Sequence, residues 1–291
     1  MALAFVLRWL RFMAKPRLQL ALALARRAGR QAIDARGTVR VYDKAVGDRV
    51  TDADVAIQSR MVNGIRACFP HDGILAEEGV DDTGTSEFVW VIDPIDGTNN
   101  YALGIPCFAV SIGILKDGTP HAGVIHDPNS GFTCSALRGQ GTVADGNTRM
   151  LAPRALTAAS NVAVRVPLEP ETDGAVISWL RRCKLRSFGS VALHLAYAAI
   201  GALDLVIDHK AKLWDIAAGA LIVTEAGGTI TDLRGQSLFP ARDAAYRGAP
   251  IPFVAGNQSA HADALAQLAR QGRPATARGA PDVAGELRGV P

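Results

Sequence analysis

One run of ten residues constrains this chain more than any other: Val89-Trp90-Val91-Ile92-Asp93-Pro94-Ile95-Asp96-Gly97-Thr98. Its apolar, β-branched opening reads as a buried strand. That strand delivers two carboxylates at one end and then a Gly-Thr step. Proline after Asp93 removes an amide donor and fixes the backbone, so the turn can aim Asp93, Asp96 and the Ile95 carbonyl at one point. An isolated Asp-Gly is an ordinary turn dipeptide. Here, however, Glu77-Glu78 lies upstream and Asp215 opens a helix downstream. Carboxylates gathered from these places would repel one another unless a cation neutralised them. An all-oxygen cluster of this kind suits a hard divalent ion.

The 291 residues, 48% of them hydrophobic, suffice for one large domain or two closely joined halves. We divide the chain into an extension (1–16), an N-terminal α+β half carrying the acidic run (17–150), a C-terminal α/β half carrying Asp215 (151–271) and a disordered tail (272–291). A formal charge of +3 is too small to argue for nucleic acid. Cysteines at 68, 107, 134 and 183 form no C-x-x-C pair, which points to reduced thiols in a cytoplasmic protein. Arg8 and Arg11 interrupt the apolar N-terminus, which is neither a clean signal peptide nor long enough to span a bilayer. Trp9 and Phe12 among basic residues also suit a membrane surface, although an extension without a fixed role is the preferred reading.

Composition predicts a first helix over 18–35 and a second capped by Asp52 or Asp54, with Ile57, Met61 and Ile65 on one apolar stripe ending near Pro70. Strands follow at 88–92, 108–115 and 121–126, with Asp117-Gly118 as a hairpin turn. Further on, helices are expected over 191–202, 216–226 and 261–270, and strands at 205–207, 229–233 and 252–255. This mixture argues for layered α/β structure without giving the strand order.

Three blocks stand in order: Ala76-Glu77-Glu78-Gly79, then Asp93 to Asn100, then Trp214-Asp215-Ile216-Ala217-Ala218-Gly219. Together they resemble the signature of the inositol monophosphatase family, over roughly residues 20–258. The resemblance implies an αβαβα layered sandwich, a homodimer and a lithium-sensitive phosphatase using two to three Mg2+ ions. It implies that Glu77, Asp93, Asp96, Asp215 and the Ile95 carbonyl hold the metals. Asp215 on its own would read as a helix cap.

A phosphate monoester is already anionic, so cations must come before attack, and metal-activated water can serve as nucleophile without a phosphoenzyme. Thr98 is the expected helper, passing a proton to a nearby acid. The family pattern places that acid at Asp54 and a loop lysine at Lys44. The segment between Lys44 and Asp48 is a residue shorter than the pattern, which leaves Asp52 open as the partner instead. Amides of Gly97 and Thr98 are natural phosphate ligands.

By the same resemblance, Gly189, Ser190, Val191 and Asp208 read the alcohol, together with Asp96. Asp208 stands where inositol-specific relatives often carry glutamate. Lys210 and Lys212 are candidates for a second phosphate or carboxylate, and His194 and His209 receive no role. The expected substrate is inositol 1-phosphate or a similar polyol or sugar phosphate. Histidinol-phosphate phosphatase, fructose-1,6-bisphosphatase and 3′(2′),5′-bisphosphate nucleotidase are the alternatives within the superfamily. Outside it stands a regulatory protein associated with RNA or a polymerase.

Overall fold

A computed structural model describes residues 2–45, 48–241, 246 and 248–271. The chain opens with helix α1 (Ala2–Ala35) and the hairpin β1 (Val41–Ala45) and β2 (Asp48–Thr51), followed by α2 (Asp52–Cys68). Strands β3 (Gly73–Ala76), β4 (Val80–Asp82) and β5 (Phe88–Asp96) lead into the single turn α3 (Thr98–Ala102). Then come β6 (Ala109–Lys116), β7 (Thr119–His126), β8 (Thr133–Leu137), β9 (Thr142–Ala144) and β10 (Asn147–Arg149). The second half holds β11 (Asn161–Val164), α4 (Pro170–Leu180), β12 (Lys184–Arg186), α5 (Val191–Ala199), β13 (Leu205–Asp208) and α6 (Leu213–Glu225). It closes with β14 (Thr229–Thr231), β15 (Phe253–Gly256) and α7 (Gln258–Gln271).

These elements stack as five layers. The eight-stranded sheet runs β10-β9-β8-β7-β6-β5-β3-β4 and the five-stranded sheet β12-β11-β13-β15-β14. Helices α1 and α2 cover one face of the large sheet, α5 and α6 fill the space between the sheets, and α4 with α7 covers the small sheet. The αβαβα expectation therefore holds. Strand β5 shows why both faces must be covered. Phe88, Trp90 and Ile92 point into the α1/α2 core, whereas Val89 and Val91 point towards α5 and α6.

Helix α6 is buried nearly all round, and its small residues let it fit between two layers. A Cβ on Gly113 or Gly123 would lie 2.6 Å or 2.7 Å from Ala217 or Ala218, so sheet and helix meet at glycine on one side and alanine on the other. Part of the Trp214 to Gly219 block is thus packing.

Several expectations are corrected. The first helix starts at Ala2 rather than near residue 18, with Pro16 inside it. The cap of α2 is Thr51 rather than Asp52 or Asp54, with Asp54 returning its carboxylate to the Thr51 amide in a capping box. The Asp117-Gly118 turn is present, and both residues have positive φ (49° and 73°) as a tight hairpin demands. The expected tail, 272–291, lies outside the described residues. Among the described residues no helix is long and apolar enough to cross a membrane.

Candidate metal centre

In a regular strand, residues three apart face opposite sides. Asp93 pairs with Ser111 but Asp96 pairs with Ala109, so β5 gains one residue against β6 at a bulge. The extra residue returns Asp96 to the side of Asp93. Within the bulge, Asp93 Oδ1 accepts the Ile95 amide at 2.9 Å, and the Ile95 carbonyl accepts Thr98 Oγ1 at 3.0 Å. Gly97 follows at φ 102°, where a side chain would be strained and its Cβ would press on the Cys107 carbonyl at 2.9 Å.

Parallel pairing of Leu75 with Val91 and Ala76 with Ile92 carries Glu77 alongside Asp93, and the Glu77 amide donates to the Ile92 carbonyl at 3.2 Å. Asp215, in the first turn of α6, accepts the Lys212 amide at 2.7 Å and presents its carboxyl to the same place. Ligand oxygens of Asp93, Asp96 and Asp215 all lie within 4.8 Å of one another, and all three residues are buried.

Such a cluster is electrostatically unbalanced. Burial pushes Asp93 well above the usual carboxylate range, and the charges of Glu77, Asp96 and Asp215 push it further. Asp215 is raised in the same way by burial and by Asp96, despite its backbone hydrogen bond to Lys212. Asp96 is raised only to about 6, because burial is partly offset by Ser190 Oγ and by the amides of Ala192 and Val191. Charges that burial penalises and neighbours repel are what a divalent cation relieves. The donor set is all oxygen and hard, which fits Mg2+.

Thr98 Oγ1 lies 3.4 Å from Asp54 Oδ1, and Asp54 is fully buried with its other oxygen held by Thr51. Asp52 is exposed and its Oδ1 accepts the Arg40 amide at 3.1 Å, away from Thr98. Geometry therefore favours Asp54 over Asp52 as the partner. The side chain of Lys44, on β1, lies outside the described part of the molecule.

Ser190 is tied up locally. Its hydroxyl donates to Asp96 Oδ2 and accepts the Leu193 amide at 3.2 Å as the N-cap of α5, and the Ala192 amide reaches the same Asp96 oxygen at 2.7 Å. The start of α5 thus grips a cluster acid from the C-terminal half. Gly189, at φ 73°, leaves room for Asn100, whose amide nitrogen donates to the Cys107 and Phe188 carbonyls at 2.7 Å and 2.6 Å. Asn100 thereby clips the α3 segment to the loop before α5.

Asp208 Oδ1 accepts the amides of Lys210 and Ala211, both at 2.8 Å, and burial raises its pKa while Arg165 opposes the rise. Lys210 is paired with Glu169 at 2.5 Å, and Lys212 Nζ donates to the Gly248 carbonyl. Neither lysine is thus uncommitted. Burial lowers the pKa of His209, and pushes that of His194 down to about 4, where its Nε2 accepts the Phe188 amide at 2.9 Å. The sequence reading passed over Arg165. Nothing near it in sequence marks it, since it meets Asp208 only through the pairing of β11 with β13.

Known proteins resemble this chain along most of its length. The family model described as "Inositol monophosphatase family" matches residues 13–273. A relative in Pasteurella multocida named Nus factor SuhB is 36% identical, with the match covering 76% of this chain and 86% of the relative. A Thermotoga maritima protein named fructose-1,6-bisphosphatase/inositol-1-monophosphatase is 34% identical, covering 76% of this chain and 86% of its own length. The crystal structure of extragenic suppressor protein SuhB from Bartonella henselae superposes with a TM-score of 0.80 at 28% identity, covering 87% of this chain and 98% of that one.

Proposed function

The chain belongs to the inositol monophosphatase family of phosphatases, and from that premise we propose that it hydrolyses a small phosphate monoester with Mg2+. Inositol 1-phosphate or a similar polyol or sugar phosphate is the preferred substrate. The observation that carries this reading is the buried, charge-unbalanced cluster of Asp93, Asp96 and Asp215 beside Glu77 and Thr98. Bound Mg2+ supplies charge neutralisation and a lowered water pKa. The chain's own residues do the rest. Glu77, Asp93, Asp96, Asp215 and the Ile95 carbonyl would hold the ions. Thr98 Oγ1 orients the attacking water and gives its proton towards Asp54 Oδ1, 3.4 Å away. First-turn amides at Gly97 and Thr98 lack intrahelical partners and suit phosphate oxygens.

Phosphate release from inositol 1-phosphate, histidinol phosphate, fructose 1,6-bisphosphate and 3′-phosphoadenosine 5′-phosphate tests the reading, with Asp93→Asn as control. The expected outcome is Mg2+-dependent turnover of one or more, abolished in the variant and inhibited by lithium. A second reading is favoured by the name of the Pasteurella multocida relative: a regulatory role with RNA or a polymerase, turnover being incidental. Under that reading Asp93→Asn leaves the cellular role intact.

A further inference from the structure

Arg165 follows β11 directly, and its amide donates to the Ile207 carbonyl at 3.2 Å, which sets it beside Asp208. A guanidinium carries five donors in a planar fork suited to phosphate or carboxylate. Here the fork is almost unspent. Among the described residues its one ionic contact is to Asp208 Oδ2 at 3.7 Å, too long for a hydrogen bond, and its side chain is 39% exposed. Asp208 takes two backbone amides on its other oxygen, and the guanidinium offsets its buried charge from 3.7 Å without spending a hydrogen-bond donor on it.

The surroundings single Arg165 out. Lys210 is committed to Glu169, Lys212 to a backbone carbonyl, and burial lowers the pKa of both nearby histidines, His194 and His209. The loop whose amides Asp208 holds runs directly into α6, where the Lys212 amide donates to the cluster acid Asp215, so Arg165 stands beside the segment that carries a cluster acid. An accessible guanidinium with open donors at the edge of a phosphatase site is placed to grip the part of the substrate that is not transferred.

We propose that Arg165 is a specificity residue that binds a second anionic group, phosphate or carboxylate, on the alcohol portion of the substrate. This rests on the phosphatase reading and narrows its substrate class from neutral polyol phosphates to phosphate esters carrying a further negative charge.

The test uses two matched pairs, fructose 1-phosphate against fructose 1,6-bisphosphate and glycerol 3-phosphate against 3-phosphoglycerate, with wild type, Arg165→Ala and Arg165→Lys. The first pair isolates a second phosphate and the second a carboxylate. Wild type is expected to favour the member with two anionic groups in at least one pair. Arg165→Ala should raise KM for that member by roughly 10- to 100-fold, as for a lost charge-assisted hydrogen bond, and leave the partner with a single anionic group within about twofold. Arg165→Lys should recover part of the loss. Equal losses on both members, or no change on either, would overturn the proposal. Calorimetric binding of the same pairs to Ca2+-loaded protein gives a second readout. Absence of turnover counts against the phosphatase reading, whereas absence of an Arg165-dependent binding preference counts against this one.

Discussion

Asp72 and Asp93 are both buried carboxylates beside the large sheet, one on the α1 side and one on the α6 side, yet their surroundings are opposite. Asp72 is held by Arg17 through two hydrogen bonds of 2.8 Å and 2.9 Å, by Ser86 Oγ at 2.7 Å and by Trp90 Nε1 at 2.9 Å. Arg17 in turn lies over the rings of Phe69 and Phe88. Burial pushes Asp72 up, but these partners outweigh it and leave its pKa below the usual value. Asp93 has acids for neighbours and is driven upward. A buried acid with its cation built into the chain is structural, and one whose nearest charged neighbours share its sign is waiting for a cation from outside.

The largest expected effect separates the two sites by function. Asp93→Asn should cut phosphate release by more than the roughly hundredfold that loss of an outer-shell partner costs, while raising the melting temperature of metal-free protein, because it removes repulsion. Arg17→Ala should do the reverse. Stranding Asp72 costs about 3–5 kcal/mol of stability, measurable by denaturant unfolding, with Mg2+ affinity within about twofold of wild type in the folded protein, on the scale of distant, independent sites.

pH sharpens the contrast further. Asp96 has a folded pKa of about 6 against an ordinary 3.8, so between these values the folded state holds more protons than the unfolded one. Metal-free stability from the cluster therefore falls as pH rises through that window. Asp72 has the opposite sign: its contribution is present above its unfolded pKa and is lost as pH falls through its lower folded value. Melting curves from pH 4 to 7 should slope downward without metal, and the slope should shrink in Asp93→Asn/Asp96→Asn, where Asp215 alone of the three acids remains, and vanish with saturating Mg2+. The smallest effect is at the junction of the halves. Ser190→Ala should cost about 1 kcal/mol as a lost helix cap and raise the pKa of Asp96, shifting the acid limb of activity to higher pH.

Legibility followed the range of the interaction. The acids of Asp93 to Asp96 could be read because strand, proline and carboxylates lie within one short segment, and the hairpin at Asp117-Gly118 is equally local. What lay across the fold was hidden. The bulge that brings Asp96 to the side of Asp93 depends on β6, the grip of Ser190 on Asp96 joins residues from both halves, and Arg165 reaches Asp208 only through a parallel strand pair. Nothing in the sequence beside Asp72 marks it, because its partner Arg17 stands on α1. The cap of α2 is Thr51, one residue before Asp52 and three before Asp54, since Thr51 and the two aspartates after it all have capping side chains and only the backbone decides among them.

The most direct test of the cluster as a cation site is calorimetric titration of Mg2+ into metal-free protein near pH 6, in buffers of different ionisation enthalpy. The expected result is saturable binding with release of protons, since acids whose pKa values are raised must give them up to a metal, and loss of both signals in Asp93→Asn. Binding that persists unchanged in the variant, or none in the wild type, would contradict the assignment.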